Sequence, residues 1–193
     1  MTAWDDPGIR GAKDWVFDLD NTLYPATCNL FHQVDLRMGG FISDLLSISY
    51  EEARLLQKDY FRQHGTTLRG LMDNHSVDPH AFLTFVHDID YSPVPANTDL
   101  NQALGRLPGR KLIFTNGTFD IAAANFVPKP SAAPYHQMVT AHDVTPTRAV
   151  MVEDMAKNLK VPAELGMRTV WVKTDHAWSG DGASDGFVHH QTE

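Results

Sequence analysis

The spacing of apolar positions changes period along this chain, and the changes divide it into segments. Trp15-Val16-Phe17 is a short apolar run ending in Asp18. It predicts a buried strand whose C-terminal end delivers carboxylates. Beyond Pro25 the apolar residues recur every three or four positions, and Phe31, Val34, Met38, Phe41 and Leu45 predict one amphipathic helix. Ser49 and Glu52 have capping-box spacing for a second helix, which Gly65 would end. Asp78-Pro79 starts another, with Phe82, Val86 and Ile89 on one face. Two prolines within 92–98 mark a linker, followed by a short helix over 99–106.

The strand pattern then returns. Residues 111–114 predict a second buried strand, 149–152 a third and 169–172 a fourth. Helices are expected between them, over 130–142 and over 155–165, the latter stopped by Gly166. From Asp175 the chain is rich in Gly, Asp, Ser and His and reads as loop or frayed tail. Apolar strands alternating with helices imply an α/β fold with a mostly parallel sheet, whose ligands bind beyond the carboxyl ends of the strands. The polar residues at those ends are Asp18 and Asp20, Thr115 and Asn116, and Glu153 and Asp154.

Composition narrows the partners. The formal charge of -8 comes without a basic stripe, which argues against a nucleic-acid polymer. One cysteine, Cys28, permits no internal disulfide and fits a reducing compartment. It reads as a small structural thiol. No apolar run approaches a membrane span, and residues 1–13 lack the apolar core of a signal peptide. A cytoplasmic enzyme with no membrane partner is the expectation. His32, His64, His75, His80 and His87 form no pair with zinc-helix spacing, and no histidine receives a metal role.

The strand-end residues suit phosphoryl transfer, which needs a nucleophile, a charge-absorbing metal, fixed donors and a proton carrier. Asp18 can attack phosphorus and form an aspartyl-phosphate. Asp20 points the same way if the extended geometry persists, and can protonate the leaving alkoxide and then activate water. Asp18, Asp154 and the Asp20 backbone carbonyl offer the oxygen ligands that magnesium takes. The Thr115 hydroxyl and the Asn116 backbone N–H can hold phosphate oxygens, and Lys129 offers a point charge. Each segment alone has a blander reading as turn, cap or solvated surface. Four of them in order, each at a strand end or helix start, argue for a site.

Phe17-Asp18-Leu19-Asp20-Asn21-Thr22-Leu23-Tyr24-Pro25, Phe114-Thr115-Asn116-Gly117, Lys129-Pro130 and Val152-Glu153-Asp154 resemble the four motifs of the haloacid dehalogenase-like hydrolases. The resemblance spans residues 13–173. Two further stretches, His64 to Met72 and Glu153 to Leu159, are similar to local signatures of the pyrimidine 5'-nucleotidase group. The likeness implies a Rossmann-like core over 13–25 and 93–175 with helices on both sheet faces. It also implies a helical cap over 26–92, with tails at 1–12 and 176–193. It implies Mg2+ and hydrolysis of phosphate monoesters such as nucleoside monophosphates, by a monomer or homodimer. It makes Asp18 the nucleophile, Asp20 the acid/base, Thr115 and Lys129 phosphate binders, and Asp154 a metal ligand. Glu153 would be an outer or water-mediated ligand, Asn158 would orient that loop, and Thr66, Thr67 and Arg69 would face the substrate.

One stretch departs from the likeness. Phe119 to Ala124 looks like an edge strand, yet it follows Thr118 at once, and a parallel neighbour needs a crossover of roughly a dozen residues. A core helix is therefore expected to be missing after Thr118, with lowered stability and activity, and Lys129 is the motif residue most exposed to displacement. A non-catalytic relative that binds a phosphate ligand or a partner chain is the alternative, as is another small-ester phosphatase of the same superfamily. Asp20 argues against dehalogenation. Lys58, the one lysine of 26–92, lies on an ordinary helix surface, which argues against phosphonate cleavage through a Schiff base.

Overall fold

Asp14–Phe17 forms β1, and its side chains alternate between two buried faces. The computed structural model describes residues 3–116, 127–175 and 179–192. Around β1 stand β2 (Arg110–Ile113), β3 (Ala149–Glu153), β4 (Arg168–Val172) and β5 (His190–Thr192), in the order β2-β1-β3-β4-β5, all parallel. Phe17 lies level with Ile113 on one side and Val152 on the other, so the ends of β1, β2 and β3 form one row.

The period-two alternation sorts the side chains into two cores. Trp15, Phe17 and Val150 pack with Ile9 of α1 (Pro7–Arg10). Leu104 of α6 (Thr98–Arg106) joins them, numbering helices in chain order. Val16 and Met151 face the other way and pack with Met138 of α7 (Ala132–Ala141) and with Leu159. Helices thus cover both faces of the sheet. Residues 155–165 form a 3-10 turn, Ala156–Leu159, followed by α8 (Lys160–Glu164). The interruption has a local cause. An unbroken helix would carry Pro162 inside it, whereas a restart at Lys160 leaves the proline in a first turn, where its missing N–H costs nothing.

The chain divides into two compact units: Met1–Ala26, Pro95–Gly117 and Lys129–Glu193 make the sheet unit, and Thr27–Val94 with Thr118–Pro128 the other. The second is helical where described: α2 (Leu30–Leu46), α3 (Tyr50–His64), α4 (Thr67–His75) and α5 (Pro79–Val86). The Ser49–Glu52 capping box is formed, and Gly65 ends α3 in the left-handed region. Val34, Ile42, Tyr60, Leu71 and Phe82 fill the core. Gly70 lets α4 lie against the Tyr60 ring, where a Cβ would collide.

Three expectations are corrected. The second strand is not buried: it is an edge strand among the described residues, and Ile113 is 59% exposed. The buried stripe of α2 runs through Leu30, Val34 and Ile42, while Phe31 and Leu45 are 55% and 43% exposed. The stretch read as a loose tail contains β5, because Phe187 and Val188 pack on the core and Thr169 Oγ1 donates to the Phe187 carbonyl at 2.5 Å. The segment expected to betray a missing helix, 117–126, lies outside the described residues. Among those described, no helix is long and apolar enough to cross a membrane.

Candidate active site

The ends of β1, β2 and β3 bring together side chains from four distant parts of the sequence. Asp18 continues the ladder for one residue beyond β1, its N–H donating to the Val152 carbonyl at 2.9 Å. The chain then turns, with Asn21 in the left-handed region at φ 61°. Glu153 closes β3 and Asp154 follows it. Lys129 precedes α7, and its ammonium has three protein acceptors: Asp18 Oδ1 at 2.7 Å, Glu153 Oε2 at 2.7 Å and the Phe114 carbonyl at 2.9 Å. The Lys129, Asp18 and Glu153 side chains are 2%, 7% and 1% exposed.

What holds Lys129 there is the side chain of Asn116. Its Oδ1 accepts from the Lys129 N–H at 2.9 Å, and its Nδ2 donates to the Lys129 carbonyl at 3.4 Å. The sequence reading gave Asn116 a backbone role only. The structure uses its amide side chain to lock the loop that carries the lysine.

Three buried carboxylates face this one lysine. Oxygens of Asp18, Glu153 and Asp154 lie within 4.8 Å of one another. Burial pushes Asp18 up to about 7, helped by the Glu153 charge and opposed by Lys129. Burial and the Asp18 charge push Asp154 up to about 6. Glu153 is raised by burial against the pull of Lys129. Burial works to lower Lys129, but the Glu153 and Asp18 charges outweigh it and hold the ammonium protonated. Like charges packed this closely in a dry pocket cannot all ionise unless more positive charge arrives.

Asp20 is held separately. Thr115 Oγ1 donates to its Oδ2 at 3.2 Å, and the Tyr24 hydroxyl donates to its Oδ1. Both partners are hydroxyls, which can donate or accept, so they can keep Asp20 in place in either protonation state. Tyr24 also lines a cleft of about 350 Å³ with Pro25, Asn97 and Asp99. Tyr24 stands in the first motif of the sequence without an assigned role, as does Asn21, whose side chain bonds Asp154. The available signal was position: a polar turn residue and an aromatic hydroxyl just past a strand that ends in two carboxylates. Asn158 is buried and bonds Glu153.

The residues named for substrate contact in the helical unit each have a partner there. Thr66 caps α4, its hydroxyl accepting from the Arg69 N–H at 3.1 Å. Thr67 is buried and donates to the Gln57 carbonyl at 3.2 Å. Arg69 pairs with Asp73 one turn on, at 2.9 Å. Cys28 is buried and free.

No family model matches the chain. Solved structures do. A HAD phosphatase from Thermococcus onnurineus superposes with a TM-score of 0.57 at 18% identity, covering 93% of this chain and 92% of that one. CbbY from Rhodobacter sphaeroides, in complex with phosphate, gives 0.54 at 14% identity over 94% and 93%. A 2-haloacid dehalogenase from Pseudomonas syringae gives 0.51 at 19% identity over 94% of each. The chain shares the α/β fold of all three, a parallel sheet with helices on both faces.

Proposed function

We propose that the chain is a magnesium-dependent phosphomonoester hydrolase acting through an aspartyl-phosphate on Asp18. The observation that carries the reading is the Asp18–Lys129–Glu153 contact, with Asp154 in the same buried pocket. Three carboxylates against one lysine have a deficit of positive charge, and an all-oxygen donor set suits a hard divalent cation. Asp18, Asp154 and the Asp20 carbonyl would hold Mg2+, with Glu153 behind them. Bound there, Mg2+ would offset phosphate charge and favour the ionised carboxylates.

The residues divide the chemistry. Asp18 Oδ attacks phosphorus, and the phosphorus–ester oxygen bond breaks. Asp20 protonates the departing alkoxide, then takes a proton from the water that attacks the aspartyl-phosphate. Inorganic phosphate leaves, and both carboxyl groups return to their starting states. Lys129 steadies the nucleophile through its hydrogen bond and acts on the phosphate through charge, since its three protons already have acceptors. Thr115 positions Asp20. Asn116 positions Lys129.

For substrate, we infer a nucleoside monophosphate of the pyrimidine series, on the resemblance carried by 64–72 and 153–159. The test is phosphate release from UMP, CMP and an aryl phosphate, with Mg2+ and with EDTA, by the parent and by Asp18→Asn. Turnover by the parent in Mg2+ alone, lost in Asp18→Asn, is expected. Equal turnover by the two proteins would rule out Asp18 as nucleophile. A preference for an unrelated sugar phosphate would remove the nucleotide assignment and leave the chemistry intact.

A further inference from the structure

The strands that lead to the candidate active site begin at a second cleft, of about 740 Å³, at the other end of the sheet. Asp14 lies level with Arg110 and Ala149, so the segments entering β1, β2 and β3 converge there. Four residues of β1 separate this end from Asp18, about 13 Å at the usual strand rise.

The chain as a whole is acidic, yet this cleft gathers Arg10, Lys13, Arg110 and Arg148 against Asp14 and Asp143. Arg110 is committed to the fold. Its Nε donates to the buried Asp14 at 2.7 Å, and its terminal nitrogens donate to the His142 and Asp143 carbonyls at 2.9 and 3.2 Å. The Asp14 charge is cancelled by that pair. Arg10 makes one long hydrogen bond, to the Asp5 carbonyl at 3.5 Å. Lys13 and Arg148 are exposed, and their side chains make no hydrogen bond or ion pair among the described residues.

The floor of the cleft is tied together by backbone. The Lys13 N–H donates to the Arg148 carbonyl and the Arg110 N–H to the Lys13 carbonyl, both at 2.8 Å. Gly109, at φ 80°, passes so close to the Lys13 carbonyl that any Cβ would collide with it. The cations therefore project from a fixed base and not from a loose loop. Three cations with no carboxylate within ion-pair distance among the described residues, drawn from separate segments into one cavity of ligand size, make a local positive potential on an otherwise negative protein.

The geometry points to a second ligand site at this cleft, one that takes a small molecule bearing at least two phosphate groups. Arg10, Lys13 and Arg148 supply the charge, with Arg148 able to grip one phosphate bidentately. The assignment stands whether or not the chain is a phosphatase.

Inorganic pyrophosphate is the probe, titrated into the full chain in EDTA, so that the acidic pocket at Asp18 repels it. Amide resonances report the location. Saturable one-to-one binding is expected, with shifts at 11–13, 109–110 and 145–148. The double variant Lys13→Gln, Arg148→Gln, altered only at exposed positions, is expected to bind about tenfold more weakly or worse. Its fold is checked by circular dichroism, and if it fails to fold the shift map of the parent decides. Non-saturating binding, shifts confined to 18–21 and 115–116, or unchanged affinity in the double variant would each overturn the site.

Discussion

Lys129 Nζ lies 2.7 Å from Asp18 Oδ1, across 111 residues of sequence. Neither group reaches solvent appreciably, and Glu153 shares the same ammonium. Removing one member of a buried charged cluster leaves the others uncompensated, which costs roughly 3–5 kcal/mol. Lys129→Met should therefore destabilise the metal-free protein by about that much, read from urea unfolding in EDTA. A loss below about 1 kcal/mol would mean that the cluster is far better solvated than the structure shows.

The pocket also sets a pH dependence. Asp18 and Asp154 are raised to about 7 and about 6 in the folded chain from an ordinary 3.8. A raised acid binds more protons folded than unfolded, so its contribution to stability is fully present below about pH 4 and is lost as pH rises to its folded value. Thermal melts in EDTA should show the parent losing stability from about pH 4 to 7 relative to Asp18→Asn, which lacks the larger of the two effects. Added Mg2+ should raise the melting temperature more at pH 8 than at pH 5, because binding needs the ionised carboxylates. A Mg2+ increment independent of pH would place the cation elsewhere.

Asp20 carries the proton in the proposed reaction, and general acid–base groups contribute about 10²–10⁴-fold. Asp20→Asn should lose activity in that range on an alkyl ester such as UMP. With a nitrophenyl ester the leaving group departs without a proton, so only the second step suffers. Stopped-flow absorbance should then show a burst of nitrophenol near one equivalent, followed by slow turnover. Slow release with no burst would move the acid role away from Asp20. Tyr24→Phe removes one of the two groups holding Asp20 and should lower kcat by a smaller factor, about tenfold, with KM little changed.

Asn116→Ala removes two hydrogen bonds to the Lys129 backbone, each worth about 0.5–1.5 kcal/mol. Stability should fall by about 1–3 kcal/mol, and kcat should fall with it, because the lysine loses its placement. Ser49→Ala gives the contrast. It removes the capping box of α3 and should cost about 1 kcal/mol with kcat unchanged. Equal effects of the two changes on kcat would show that Asn116 does no more than stabilise.

Local signals carried far in this sequence, and long-range ones did not. The Ser49–Glu52 box and Gly65 act within one helix, so spacing alone located α3. The carboxylates at 18, 20, 153 and 154 were legible because short apolar runs end at them. By contrast, β5 is stabilised by what it meets in space. Its His190 reaches Asp6 at 2.9 Å, and the neighbouring His189 N–H donates to Thr169 Oγ1 at 3.1 Å. The polar composition of the stretch before it conceals that. Lys111, Leu112 and Ile113 look like a core strand, but exposure depends on what stands beside a strand, which apolarity cannot say. Asn116 was hidden for a related reason. Asn-Gly reads as a turn, and its real task is to hold a lysine thirteen residues on.

The central claim is that Asp18 becomes phosphorylated. The most direct measurement is to mix the protein and Mg2+ with a nucleoside monophosphate labelled in its phosphate, quench in acid within the first turnover, and map the labelled peptide. Label on the peptide containing Asp18, absent from Asp18→Asn, is the predicted result. Hydrolysis with no label on Asp18 at any time, in a variant slowed at Asp20, would contradict the account.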